Sequence, residues 1–214
     1  MFPLAPEGYP FVLVPAVAGV LAWAFGYHPV ALLFWLVALA CVAFFRDPAR
    51  DSDSPDDVVV APADGKVLSV GDAPPAQAAE GLARQVSIFM SPANVHVNRA
   101  PISGTVRQAR WSPGKKFPAF RDKASDFNEH SYVLLDGKAG TVAYKQIAGA
   151  LARRVVCDLR TGQTVTRGQR VGIIKFGSRV DLYLPPWATV EVQPGQRTRA
   201  GVTAVARLPR ERTP

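Results

Sequence analysis

Three short stretches hold side chains whose types could act on one another. Ser178 follows Gly177 in Lys175-Phe176-Gly177-Ser178-Arg179-Val180-Asp181, and a serine hydroxyl becomes a nucleophile where a base stands beside it. His96 lies in Ser91-Pro92-Ala93-Asn94-Val95-His96-Val97-Asn98-Arg99-Ala100-Pro101, where strand alternation puts His96 and Asn98 on one face. Imidazole is the side chain that exchanges a proton near neutral pH. Asp64 sits in Ala61-Pro62-Ala63-Asp64-Gly65-Lys66, and a carboxylate can accept a ring N–H. Each stretch also has a plain structural reading: Asp64-Gly65 as a hairpin turn, His96 as a half-buried strand residue, Gly177-Ser178 as a bend or bulge. Taken singly, none of the three decides between chemistry and structure.

The elements that would position them are short strands. Val58–Val60, Lys66–Val70, Gln85–Met90, Gly104–Gln108, Ser131–Leu135, Thr141–Ile147, Arg154–Asp158, Arg170–Ile174 and Val180–Leu184 are β-type runs, punctuated by turn residues such as Asp136-Gly137, Thr161-Gly162 and Arg167-Gly168. Helical turns are expected only at Ala76–Ala83 and Ile147–Arg153, so the pattern argues for a mainly β body and against parallel βαβ units. The segment from Thr161 to Ser178, with Ile102–Val106, resembles the hairpins of barrel-sandwich hybrid domains of the biotinyl and lipoyl carrier type.

Charge divides the chain sharply. No charged residue lies between Gly8 and Phe45, while the part from Arg46 onward sets 25 Lys and Arg against 16 acids and carries +9. Phe11–Phe25 and Val30–Phe45 are two apolar runs interrupted at Gly26-Tyr27-His28-Pro29, each a little short of the ~20 residues that span hydrocarbon. With Trp23, Trp35, Tyr9 and Tyr27 near their ends, they read as a membrane helical hairpin over residues 1–46. No Lys or Arg precedes the first run, which argues against a signal peptide. Arg46 and Arg50 then place the body on the cytoplasmic face of the cell (inner) membrane. Residues 47–57 read as a polar, acidic linker, and 58–214 as the β catalytic domain. The basic body suits an anionic membrane surface; nucleic acid, suggested by charge alone, is disfavoured by the anchor. Cys41 and Cys157 fall in different regions and read as free thiols, and no Cys/His cluster proposes a metal.

From Val58 to Pro186, ordered motifs resemble the phosphatidylserine decarboxylase family. They are Pro62-Ala63-Asp64-Gly65-Lys66-Val67, the His96 segment, Gly104-Thr105-Val106, Lys115-Lys116-Phe117, Asp122-Lys123-Ala124-Ser125, Asn128-Glu129, and the terminal Phe176-Gly177-Ser178-Arg179-Val180-Asp181 with Leu184-Pro185. The Gly-Ser-Arg junction is similar to the shorter subclass. Two departures stand out. Arg99 occupies the place of a second histidine in the longer enzymes, and His130 follows Asn128-Glu129.

That resemblance implies a self-cleaving proenzyme with a covalent pyruvoyl cofactor made from Ser178. Ser178, with His96 as base and Asp64 fixing the imidazole tautomer, would attack the Gly177 carbonyl. The chain would divide into a larger part ending at Gly177 and a smaller part, 178–214. The new carbonyl would condense with the head-group amine of phosphatidylserine, and phosphatidylethanolamine and CO2 would leave. Lys115, Lys116, Phe117, Arg121 and Lys123 are candidates for contact with substrate or membrane; a homo-oligomer is left open. Two alternatives share part of the pattern: a non-enzymatic membrane-fusion adaptor with a hybrid-barrel domain, and a pyruvoyl decarboxylase of a free amino acid.

Overall fold

The apolar leader folds as two helices, α1 (Tyr9–Ala24) and α2 (His28–Phe44), joined through Gly26, whose φ of 80° few other residues adopt. The structure is a computed structural model and describes residues 3–51, 54–115, 117, 127–149, 154–175 and 178–209. The helices run back along one another. Trp23 stacks on Trp35 at 5.6 Å and Phe11 on Phe45 at 5.2 Å, while Gly19 lies so near Trp35 that a Cβ there would stand 2.4 Å from its ring nitrogen. The ends are tied together by the Ala5 N–H to the Phe45 carbonyl (2.8 Å) and the Asp47 N–H to the Pro3 carbonyl (2.7 Å). Most of their large apolar side chains face outward. With its preceding turn, α1 covers Pro6–Ala24, 19 residues, long and apolar enough to cross a membrane; α2, at 17, is shorter.

The chain separates into two compact units, Met1–Ala49 and Arg50–Pro214. The second is mainly β. In order it contains β1 (Val58–Val60), β2 (Gly65–Asp72), the helical turn α3 (Pro75–Ala78), β3 (Arg84–Met90), β4 (Val97–Arg99), β5 (Gly104–Ser112), β6 (His130–Gly137), β7 (Gly140–Ala148), β8 (Arg154–Cys157), β9 (Thr164–Val165), β10 (Arg170–Lys175), β11 (Ser178–Leu184), β12 (Thr189–Val190), β13 (Arg197–Thr198) and β14 (Ala204–Arg207). Eight of them form a curled, half-barrel sheet in the order β13-β2-β3-β11-β7-β6-β5-β9, with β4-β10-β8 and β1-β14-β12 as smaller sheets. The helical turn expected from Ile147 is instead the end of β7, because Ile147 and Ala148 pair with Arg179 and Ser178; residues 150–153 lie outside the described set.

β11 sits centrally between β3 and β7, and all seven of its residues are buried. Alternation sends Val180, Leu182 and Leu184 into the main core with Val86, Ile88, Met90, Val142 and Tyr144. Each aliphatic side chain buried there stabilises the fold by roughly 1.5–3 kcal/mol. The other face carries Leu82, Tyr132, Leu134, Ala143 and Tyr183. Part of the expected linker is docked rather than loose. Arg167 donates to the Pro55 carbonyl (2.6 Å) and also to that of Ser54, and the Leu208 N–H donates to the Asp57 carbonyl (2.8 Å).

Candidate active site

Ser178 opens β11, opposite Met90 on one side and Ala148 on the other, and is wholly buried. Its hydroxyl lies 3.2 Å from Met90 Sδ, a weak acceptor. Gly177 lies outside the described residues. Immediately beyond Ser178, on the reverse face of the strand, Arg179 Nε meets Asp181 Oδ1 at 2.5 Å and Arg179 Nη2 donates to Ser87 Oγ at 2.9 Å. The hydrogen bond to Ser87 ties the start of β11 to β3, while Asp181 holds the guanidinium in place.

His96, just before β4, and Asn98, within it, are both fully buried. β4 pairs with β10, the strand that leads toward Ser178, and the His96 carbonyl accepts the Ile174 N–H at 3.3 Å. His96 Nδ1 lies 2.9 Å from the Asn94 carbonyl. A carbonyl only accepts, so Nδ1 carries the proton and Nε2 is the basic nitrogen of the neutral ring. The partner that sets this tautomer is therefore a backbone carbonyl two residues away, not the Asp64 carboxylate expected from the sequence.

Asp64 is engaged elsewhere. Its Oδ1 accepts the Ala200 N–H at 2.7 Å and its Oδ2 accepts Arg50 Nη2 at 3.0 Å, with the two side chains 12% and 6% exposed. The carboxylate fixes the turn in which Pro62 presents its carbonyl to the Arg99 N–H (3.0 Å) and to Asn98 Nδ2 (3.4 Å). Asn98 Nδ2 also faces Met90 Sδ at 3.7 Å, and Asn98 Oδ1 accepts Gln146 Nε2 at 2.8 Å. Ser178, Met90, Asn98 and Gln146 thus form one continuous buried polar chain, to which Asp64 contributes through its turn. Gln146 Oε1 ends it, buried and without a partner among the described residues.

Sequence reasoning passed over Gln146 and Met90, and read Arg50 only as a marker of membrane orientation. The available signal for Gln146 was a long polar side chain at an inward position of the alternating run Val142, Tyr144, Gln146, Ala148. Arg99 is buried and gives Nη1 to the Gly168 carbonyl at 2.9 Å, a structural contact. His130 is half-buried, its Nδ1 2.8 Å from the Asn128 carbonyl.

Of the basic, aromatic stretch, Lys116, Arg121 and Lys123 lie outside the described residues. Lys115 donates its N–H to the Phe127 carbonyl at 2.6 Å, and Phe117 packs edge-on against Phe127 at 6.2 Å. Buried Asn128 exchanges hydrogen bonds with the Phe117 backbone (2.8 and 2.7 Å) and donates to the Ala148 carbonyl at 2.6 Å. Because Ala148 is the register partner of Ser178, this stretch is fastened beside the serine. Trp111, Phe117 and Phe127 are exposed around it.

The arrangement can do two things. A buried hydroxyl at a strand start, an imidazole with a defined basic nitrogen on a neighbouring sheet, and fixed backbone around both suit an acyl shift within the chain. The buried acceptor at Gln146 has room in its bonding for one further donor, which an amine brought to position 178 would supply.

Residues 37–206 match the family model described as phosphatidylserine decarboxylase. The chain is 46% identical over 210 residues to a phosphatidylserine decarboxylase proenzyme of Magnetococcus marinus, covering 96% of this chain and 95% of that protein. Proteins of the same description from Burkholderia mallei (41% over 209 residues, 97% and 96% covered) and Paraburkholderia xenovorans (41% over 207, 96% and 97%) are also similar to it.

Proposed function

The chain belongs to the phosphatidylserine decarboxylase family and is a carboxy-lyase, and from that membership we propose that it makes its own catalytic carbonyl by cutting itself between Gly177 and Ser178. The relatives are named proenzymes, and the observation in this chain that carries the reading is the fully buried Ser178 hydroxyl, held at a strand start with only the weak Met90 thioether as acceptor among the described residues. The adaptor alternative falls with the family membership.

Cleavage begins when His96 Nε2 takes the Ser178 hydroxyl proton and Oγ adds to the Gly177 carbonyl carbon. The carbon–nitrogen bond of the linkage breaks, the nitrogen of residue 178 takes a proton, and an ester joins Gly177 to Oγ. Removal of the α-proton of residue 178 then expels the Gly177 carboxylate by breaking the Cβ–Oγ bond. Water replaces the nitrogen, which leaves as ammonia, and the smaller chain, 178–214, begins with a pyruvoyl group. When present, that group supplies the electron sink that no side chain offers, taking up the electron pair released with CO2. His96 is the proton donor to the substrate carbon afterwards. Asp64, through the Pro62 turn and Asn98, is a positioning residue, and Arg179 with Asp181 and Ser87 keeps the new chain start in the sheet.

The substrate in this reading is phosphatidylserine rather than free serine, because an apolar α1 and a basic body suit an enzyme working at an anionic bilayer. The leader anchors the enzyme, Arg46 and Arg50 set the body on the cytoplasmic face of the inner membrane, and Lys115, Phe117 and their neighbours contact lipid. Phosphatidylserine and free serine, each labelled at the carboxyl and offered separately to the purified protein in detergent, test this. Labelled CO2 from the lipid alone is expected, and release from free serine alone overturns the lipid assignment.

A further inference from the structure

The orientation of three amides in a row fixes what Gln146 offers. The Pro62 carbonyl can only accept, so the side of Asn98 that faces it, at 3.4 Å, is the NH2 group. The same group faces the Met90 thioether, another acceptor. Asn98 must then turn its oxygen toward Gln146, and Gln146 must answer with its own NH2, at 2.8 Å. Nothing is left for Gln146 Oε1 to do but accept, and it is buried with no donor among the described residues. Leaving such an acceptor empty is costly.

The place of this empty acceptor is specific. In the β7–β11 ladder Gln146 stands opposite Val180 and Ala148 opposite Ser178. Gln146 and Ser178 are therefore diagonal neighbours on the same inner face, a separation that long side chains reach across. Met90 and Asn98 connect the two groups from the other side.

We propose that Gln146 Oε1 is the specificity contact for the substrate's head-group amine, accepting an N–H while that nitrogen is held over position 178. This rests on the reading that position 178 becomes the reactive carbonyl. The nitrogen carries an N–H as the free amine and keeps one after joining to carbon while it is protonated, so one acceptor serves it in both forms. A hydrogen bond from a charged nitrogen is worth about 1.5–3 kcal/mol, or roughly ten- to hundredfold in affinity. The arrangement also explains why Asn98 and the Asp64 turn matter to a residue on another sheet: they hold the glutamine so that it presents oxygen.

The test uses the full-length protein in detergent with phosphatidylethanolamine as the amine. Cyanoborohydride fixes any amine joined to position 178, and the intact mass of the smaller chain reports the yield. Gln146→Met keeps the length and removes the acceptor. It should still cut itself, give at least about tenfold less adduct per cut chain, and raise KM for phosphatidylserine more than it lowers kcat. Gln146→Glu, buried and so held neutral, gives its O–H to Asn98 and keeps a carbonyl oxygen toward the site; it should retain wild-type adduct. Adduct at the wild-type level in Gln146→Met overturns the inference, as does a folded Gln146→Met that remains uncut, which would place the residue in cleavage instead. If Gln146→Met does not fold, loss of adduct in Gln146→Glu overturns it. Wild-type protein that is itself uncut would refute the parent reading, whereas normal cutting with normal capture in Gln146→Met refutes this inference alone.

Discussion

Ser178 and Asn98 share one acceptor: Met90 Sδ lies 3.2 Å from the serine hydroxyl oxygen and 3.7 Å from the Asn98 amide nitrogen. The thioether is a weak partner, so neither donor is held strongly by it. A nucleophile kept in this way loses little when its proton is taken by a stronger base.

That base is His96. His96→Asn preserves a polar, buried side chain but cannot act at the Nε2 position. We expect self-cleavage to slow by at least about a hundredfold, the usual contribution of a positioned general base, with the fold retained. The fraction of cut chain after timed incubation checks this, alongside circular dichroism of the same sample. Wild-type cutting in His96→Asn contradicts the assignment.

The Arg50–Asp64 pair is a structural prediction. Both side chains are almost excluded from water, so Arg50→Met leaves a buried carboxylate with only the Ala200 N–H. The expected loss is about 3 kcal/mol in urea unfolding, and Arg50→Met combined with Asp64→Asn should recover part of it, because removing both charges costs less than stranding one. Equal stability of the single and double variants contradicts the pairing.

Gly172 allows the sheets to meet. Its φ is 154°, and a Cβ would stand 2.0 Å from the Val156 carbonyl oxygen. It lies opposite Asn98 in β4 and Cys157 in β8. Gly172→Ala must push β8 from β10 and shift the strand that leads to the proposed cleavage junction. Lower thermal stability and slower self-cleavage should appear together; unchanged values of both refute the steric argument.

Tyr144 buries a hydroxyl with no partner among the described residues, and burial first, then the neighbouring Cys157, pushes its pKa well above the ordinary tyrosine value of 10. Tyr132 is raised too, by burial and by its hydrogen bond to Glu80. A raised pKa means the folded state keeps the proton that the unfolded state releases. Stability from this source is intact below about pH 10 and declines as pH rises above it. Tyr144→Phe should shallow that alkaline decline and add about 1 kcal/mol at neutral pH by removing an unpaired polar group. Urea midpoints measured at neutral pH and above pH 10 decide the matter.

Much of this fold was legible because its strands alternate. All nine β-type runs coincide with strands, since period-two burial writes itself directly into residues such as Val180, Leu182 and Leu184. Short pairings such as β12, β13 and β14 were not, because two to four residues carry no period and depend on partners far away in the chain. Ile147 was misread as helical for a related reason: apolar and alanine-rich, Ile147–Arg153 lacks turn residues, and only the pairing to β11 makes its start a strand. Ser178 and His96 could be picked from the sequence as reactive types, and the structure buries both, but the side chains around them could not. Arg50 looked like linker, yet its side chain is buried on Asp64; the histidine's orienting partner is a main-chain oxygen, which no side-chain pattern reveals.

The most direct measurement is the intact mass of wild-type protein beside Ser178→Ala. The wild type should yield two chains, divided between residues 177 and 178, the smaller with a blocked N-terminus. Ser178→Ala should remain one uncut chain and release no CO2 from phosphatidylserine. An active wild type of undivided mass, or a Ser178→Ala protein that still divides at this linkage, would contradict a carbonyl made from Ser178.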